Sequence, residues 1–282
     1  MSKAIMMVLQ GGLGNQLFQY AAGVVLSKEL GGELWLTAPQ ENIHSQRDYR
    51  ANLFLLAKAL GSNIFAAISD AEKVAYSEPQ DPHSPWSPSQ YHGIEQILLK
   101  GYWQYLPAIV SSIPFLRSEI LTLLGEIRVQ MHTKYAIQDT RELAFVHVRR
   151  GDYLSLPETD FWRQDIDTYY REALATLRQG TAAIKRILVI SDDIAWCKAQ
   201  PLFNEEGIEC IEESDELAAL AIMSLCHGGA VITNSTFSWW GAMFGPQTVG
   251  AKVVYPERWY KTARPQLFPD TWVMVQQDEH RN

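Results

Sequence analysis

The stretch AFVHVRRGD, Ala144–Asp152, decides how the chain is read. An apolar, β-branched run of strand length, Ala144–Arg149, breaks abruptly into two arginines, a glycine and an aspartate. The pattern then recurs. Arg186–Ser191 is strand-like and ends in Asp192-Asp193, Gly229–Thr233 ends in Asn234-Ser235-Thr236, and a weaker strand spans Glu209–Glu212. Helical spacing of apolar residues fills the gaps at Asp167–Gln179, Ile194–Gln200 and Leu217–Cys226, and Thr236–Phe244 follows the last strand. Such alternation predicts an α/β fold with a parallel sheet and helices on both faces. Ligands bind such a sheet beyond the carboxyl ends of its strands.

The first half opens in the same way. Ala4–Leu9 is strand-like, Gly11, Gly12 and Gly14 follow, and Asn15–Leu30 carries helical spacing up to Gly31-Gly32. Glu33–Thr37 reads as a strand and Asn52–Leu60 as a helix. Pro79, Pro82, Pro85 and Pro88 mark a surface loop reaching Tyr91, because repeated proline excludes helix and interior strand. Ile97–Tyr105 resumes strand character and Pro107–Leu124 is helical. The less patterned Gly125–Arg141 reads as the connection between a domain over 1–140 and a second over 141–282.

Composition bounds the function. Of 282 residues, 47% are hydrophobic and 20% charged, as in ordinary globular proteins, and 282 residues suffice for two domains. The net charge of −8 argues against a nucleic-acid partner. The longest apolar stretch recognised, Leu217–Cys226, is far short of the roughly 20 residues a membrane span needs. Met1–Leu9 reads as a first strand, not a signal peptide. Three scattered cysteines, Cys197, Cys210 and Cys226, suit neither a disulfide scaffold nor a zinc cluster, and a reducing, cytoplasmic setting is expected.

Small, polar or cationic residues thus stand at four strand ends, where an α/β protein builds its site. A guanidinium never loses its charge and offers a fork of donors matched to phosphate oxygens, so Arg149 and Arg150 suit a pyrophosphate. A structural Arg–Asp pair, with Asp152 holding a guanidinium, explains the same tetrapeptide. Asp192-Asp193 suits ribose hydroxyls, and Asp193 also suits a helix cap. Ser235 and Thr236 open a helix whose free N–H groups form an anion site; capping alone accounts for them too. GGLGNQ (Gly11–Gln16) is not G-x-G-x-x-G, and Asn15 and Gln16 at the helix start have a capping role open to them. Asp165-Ile166-Asp167 has the D-x-D spacing of metal-holding sugar transferases, but it precedes a helix instead of ending a strand and reads as an N-terminal cap. The histidines lack ligand spacing. No metal is expected.

Taken together, QGGLGNQLFQYAAG, GYWQ (Gly101–Gln104), HVRRGDY (His147–Tyr153), VISDD (Val189–Asp193) and NSTFSWWGA (Asn234–Ala242) resemble, in order and spacing, the α-1,2-fucosyltransferases of glycosyltransferase family 11. The resemblance implies a GT-B-like architecture of two facing Rossmann-like domains, the N-terminal one taking the acceptor and the C-terminal one GDP-fucose. It implies inverting transfer from GDP-β-L-fucose to a terminal galactoside, without metal or cofactor. It places Arg149 on the β-phosphate with Arg150 in support, His147 near the guanine or ribose, and Asp193 near the nucleoside, with Asp152 and Asp192 among the substrate-binding residues. Ser235, Thr236 and Ser238 would lie near the diphosphate, with Asn234 and Phe237 beside them among the substrate-binding residues. Asn15 would reach the reaction centre, with Gly12, Gln16, Tyr102, Trp103 and Gln104 on the acceptor side, Trp103 chiefly as packing. Ala219 departs from the family pattern, which carries an acid there; Asp215 or Glu216 is the nearest substitute.

Two other readings need different residues. A nucleotide-sugar epimerase or dehydrogenase requires G-x-G-x-x-G and Tyr-x-x-x-Lys, which are missing. A non-catalytic carbohydrate-binding protein has no need of paired arginines at a strand end.

Overall fold

A computed structural model describes residues 3–37, 63–65, 74–77, 88–154, 162–179, 184–260 and 266–277. The helix expected over Asn52–Leu60 and most of the proline-rich loop lie outside them. The strands are β1 (Ala4–Val8), β2 (Glu33–Thr37), β3 (Asn63–Phe65), β4 (Val74–Ser77), β5 (Gln96–Lys100), β6 (Leu143–Val148), β7 (Arg186–Ser191), β8 (Ile208–Cys210), β9 (Gly229–Val231), β10 (Val253–Pro256) and β11 (Val273–Val275). The chain divides into two compact units, Met1–Leu123 with Pro265–Leu267, and Leu124–Arg264 with Phe268–Asn282. Each unit has one sheet.

The first sheet runs β3-β2-β1-β5-β4 with every pairing parallel. Strand order reverses between β1 and β5, so the loops leaving these strands part and open a crevice. The helix Leu13–Leu30 follows β1 and, Asn15 aside, is buried from Leu13 to Leu26, as a helix apolar on most sides must be. It stops at Gly31, whose φ of 64° is left-handed, with the Gly31 and Gly32 N–H groups both donating to the Ser27 carbonyl. Glycine enters that conformation without steric cost.

Leu106–Leu123 corrects the apolar survey: with mean hydropathy 1.3 over 18 residues, it is long and apolar enough to cross a membrane by composition. It consists of helix Leu106–Ile109, a 3-10 turn Val110–Ser112 and helix Ile113–Leu123. Ile109, Ile113, Leu116 and Ile120 form its buried stripe, while Arg117 and Glu119 interrupt the apolar run and hid it from a search for unbroken stretches.

The second sheet runs β11-β10-β9-β6-β7-β8, all parallel. Counted from β6 this is 6-5-4-1-2-3, the doubly wound order of dinucleotide folds, and its reversal lies between β6 and β9. β6 and β10 are buried at every residue, as in strands covered on both faces. The four strands expected in this half are present. β10 and β11 were not expected, because four residues ending in a proline and three residues in a polar stretch carry little periodic signal.

Gly125–Arg141, read as a connection, contains the helix Gly125–Lys134, which packs in the second unit against the helix Glu216–Leu225. Met131 is its one fully buried residue, too few to stamp a helical pattern on the sequence. The Glu216–Leu225 helix also packs on Thr236–Phe244 at a distance only glycine permits. A Cβ on Gly241 would stand 2.3 Å from Met223 Sδ, and one on Gly245 2.2 Å from the Met223 carbonyl oxygen. The cysteines are free, Cys197 and Cys226 buried and Cys210 half-buried.

Candidate active site

Strand register builds the cationic part of the site. β6 and β7 pair with Val148 opposite Ser191, so the residues leaving the two strands meet in order. Arg149 Nη1 lies 2.8 Å from Asp192 Oδ2, and the other Asp192 oxygen accepts the Arg150 backbone N–H at 2.9 Å. Arg150 Nε donates to Asp193 Oδ2 at 3.1 Å, and its guanidinium carbon sits 3.9 Å from the centre of the Trp196 ring. Asp193 Oδ1 accepts the Trp196 N–H at 3.1 Å and caps the helix Ile194–Lys198. Two acids therefore sort two arginines. Arg150 is clamped between carboxylate and indole, a structural post, whereas Arg149 is held by Asp192 with the Tyr153 ring 5.6 Å away.

The β9 end supplies the opposite wall. Tyr153 donates its hydroxyl to the Asn234 carbonyl at 2.8 Å and ties the loop after β6 to the loop after β9. Ser235 is the N-cap of helix Thr236–Phe244, in extended conformation, and its hydroxyl makes no capping bond. The amide groups of that first turn therefore lack the side-chain cap that Ser usually provides, at the positive end of the helix, the end that favours anions. Thr236 and Phe237 are half-buried beside it.

Two residues expected at the ligand have frame roles. Asn234 donates to the Trp162 and Trp259 carbonyls at 2.8 and 3.2 Å and accepts the Thr233 hydroxyl at 3.0 Å, which occupies its carboxamide. Ser238 is fully buried and donates to the Ser235 carbonyl at 3.0 Å. Both side chains are engaged within the protein and fix the turn that presents Ser235.

His147 lies in β6, buried, its ring 5.8 Å from that of Phe237. Its Nδ1 has no hydrogen-bond partner among the described residues. Burial takes the imidazole far below its usual range, to about 3, with Asp192 opposing the shift and the Arg149 cation reinforcing it. The ring is neutral at pH 7. Asp165, the first acid of the D-x-D, caps the following helix as read: it accepts the Asp167 and Thr168 N–H groups at 2.9 and 2.8 Å. Asp152 opens the 3-10 turn Asp152–Leu154. Ala219 is buried, and Asp215 caps its helix by accepting the Ala218 N–H at 2.8 Å, so the capping bond engages the nearest substitute acid.

In the first unit the residues expected on the acceptor side gather at the reversal between β1 and β5. The helix begins at Leu13 with Gly12 as N-cap, so Asn15 and Gln16 do not cap it. Gly11, at φ 76°, has no room for a Cβ: one would stand 2.5 Å from Asn15 Nδ2. Asn15 Oδ1 accepts Gln104 Nε2 at 3.1 Å, and the buried Gln16 donates to the Gly11 carbonyl at 2.8 Å. Tyr102 is 37% exposed; Trp103 is buried and therefore packing. Tyr153 and Trp196 were missed as site-building residues, although Tyr153 closes the HVRRGDY run and Trp196 stands three residues after the capping Asp193.

Known proteins resemble the chain along its length. Residues 7–274 match the family described as Glycosyl transferase family 11. An alpha-1,2-colitosyltransferase of Escherichia coli is 28% identical over 290 residues, covering 95% of this chain and 97% of its own. Galactoside alpha-(1,2)-fucosyltransferase 1 of Homo sapiens is 24% identical over 286 residues, covering 95% of this chain and 74% of its own. Among solved structures, the fucosyltransferase NodZ from Bradyrhizobium matches with a TM-score of 0.52 at 12% identity, over 87% of this chain and 94% of that one, which is a likeness of fold.

Proposed function

We propose that this chain, which belongs to glycosyl transferase family 11, transfers L-fucose from GDP-β-L-fucose to a hydroxyl, O2 by preference, of a terminal galactose. One observation carries the reading: Arg149, oriented by Asp192, and the side-chain-uncapped N-terminus of the Thr236–Phe244 helix meet at the β6/β9 reversal of a doubly wound sheet. That arrangement suits a diphosphate. The names of the relatives supply the sugar and the linkage.

In the transfer the acceptor oxygen bonds to C1 of fucose as the bond from C1 to the phosphate oxygen breaks. The electron pair leaves with GDP, and the acceptor proton passes to solvent. Negative charge grows on the β-phosphate in the transition state. A guanidinium already fixed in place stabilises it without reorganising, as does the positive end of a helix. Arg149 thus does the work for which other transferases use a divalent metal, and the reaction is read as metal-independent and free of cofactor. Neutral His147 offers a single donor or acceptor to a polar ligand atom without adding charge.

The E. coli colitosyltransferase favours one second reading, a 3,6-dideoxy donor sugar. The two are separated by incubating the purified protein with GDP-fucose or GDP-colitose and a β-galactoside, with chelator present, and determining the linkage of the product. An α-1,2-fucosylated galactoside formed despite chelator is the expected result. Transfer from GDP-colitose alone establishes the second reading, and transfer from neither donor contradicts both.

A further inference from the structure

Gln19 lies within the helix Leu13–Leu30, fully buried, where an unpartnered carboxamide would be costly. Its two ends are instead engaged by the two loops that part at the β1/β5 reversal. Gln19 Oε1 accepts the Gln10 backbone N–H at 2.9 Å, just past β1. Its Nε2 donates to the Gly101 carbonyl at 3.0 Å, just past β5.

Both loops are bent in ways the chain does not adopt unaided. Gly11 at φ 76° and Gly101 at φ 113° use conformations favouring glycine, and Trp103 holds φ 56° despite its side chain. A non-glycine residue there is strained, and the surroundings must offset that strain. Strain of this kind, next to three side chains with polar atoms, Asn15, Tyr102 and Gln104, is the setting in which a fixed geometry serves a ligand. The staple at Gln19 is what holds Gly101, and with it Tyr102 and Gln104, against Gln10 and the Asn15 turn.

We infer that Gln19 is a positioning residue for the acceptor: one carboxamide sets the spacing of the two loops that carry Asn15 on one side and Tyr102 and Gln104 on the other, and so fixes a subsite for a polyhydroxylated sugar. The inference rests on the transferase reading above, but the staple itself does not. A second observation agrees with the design. The Gln104–Asn15 bond, at 3.1 Å, joins the same two loops through half-buried side chains, so the crossing is tied twice.

The test compares Gln19→Met, which keeps the bulk and loses both bonds, with Gln19→Glu, which keeps both when its carboxyl is protonated. Hydrogen–deuterium exchange on the whole protein should quicken in peptides covering 9–15 and 100–105 of Gln19→Met and stay unchanged over 147–153. In transfer assays the acceptor KM should rise roughly tenfold or more, the donor KM and the affinity for GDP staying within about twofold. Lowering the pH should recover the acceptor KM of Gln19→Glu and leave that of Gln19→Met where it was. Unchanged exchange in the two loops overturns the staple. Loosened loops with an unchanged acceptor KM, or donor and acceptor KM rising together, overturn the positioning role. Loosened loops in a protein that transfers neither sugar overturn the transferase reading, and the acceptor role with it, while the staple stands.

Discussion

Asp192 accepts the backbone N–H of Arg150 with one carboxylate oxygen and faces the Arg149 guanidinium with the other, at 2.9 and 2.8 Å. One side chain thereby fixes both the path of the loop after β6 and the direction of its first arginine. Asp192→Asn separates the two tasks, because the amide oxygen still accepts the Arg150 N–H while the charge that orients Arg149 is gone. Hydrogen bonds to charged groups contribute about 1.5–3 kcal/mol, so turnover should fall roughly 10- to 100-fold with little change in fold. Steady-state kinetics beside a thermal melt check this; unaltered turnover removes Asp192 from the arrangement.

Gly245→Ala tests the seat of the Thr236–Phe244 helix. Its new Cβ would stand 2.2 Å from the Met223 carbonyl oxygen, a backbone atom that cannot swing aside. Overpacking of this kind costs about 1–3 kcal/mol and forces the Thr236–Phe244 helix away from its neighbour. Both melting temperature and GDP affinity should drop. Gly125→Ala is the control, because its Cβ would meet nothing within 4 Å and its φ, like that of Gly245, is not in the left-handed region. Equal losses for the two variants would show that packing at Met223 is not the cause.

The burial of neutral His147 predicts a pH dependence of stability. Its folded value, about 3, lies below the unfolded value near 6.5, so between them the unfolded chain binds a proton that the folded chain refuses. Stability therefore falls as pH drops through that window, by up to about 1.4 kcal/mol per pH unit from this residue. Denaturant melts of His147→Gln should lose stability less steeply than the wild type on acidification from pH 6.5. Identical slopes would mean that the imidazole titrates normally in the folded chain.

Most of the second unit was legible in the sequence because its strands are short apolar runs with an abrupt polar end. The alternation gave the sheet, and the abrupt ends marked the arginines, Asp192-Asp193 and Ser235 as neighbours at one rim. Strand register, which no linear pattern states, decided what those residues do. It pairs Val148 with Ser191 and so matches Arg149 to Asp192 and Arg150 to Asp193. The family resemblance places Asn234 and Ser238 at the ligand; here their side chains also reach carbonyls that only the fold brings near. Gly125–Lys134 carried too little buried surface to read as a helix, and no linear pattern marks Gln19, whose two partners lie 9 and 82 residues away.

The central claim is that Arg149 stabilises the departing diphosphate and that Arg150 holds the frame. Arg149→Lys keeps the charge and loses the fork, and removing one preorganised contact of this kind costs about 3–4 kcal/mol, or roughly 100- to 1,000-fold in turnover. Arg150→Lys gives up the Asp193 bond and the Trp196 stacking, which should appear mainly as lost stability of about 1–2 kcal/mol. Turnover number and melting temperature, measured side by side for the two variants with GDP-fucose and a β-galactoside, test the assignment most directly. The account predicts that Arg149→Lys loses turnover and keeps its melting temperature, while Arg150→Lys does the reverse. Near-normal turnover in a folded Arg149→Lys protein would contradict it.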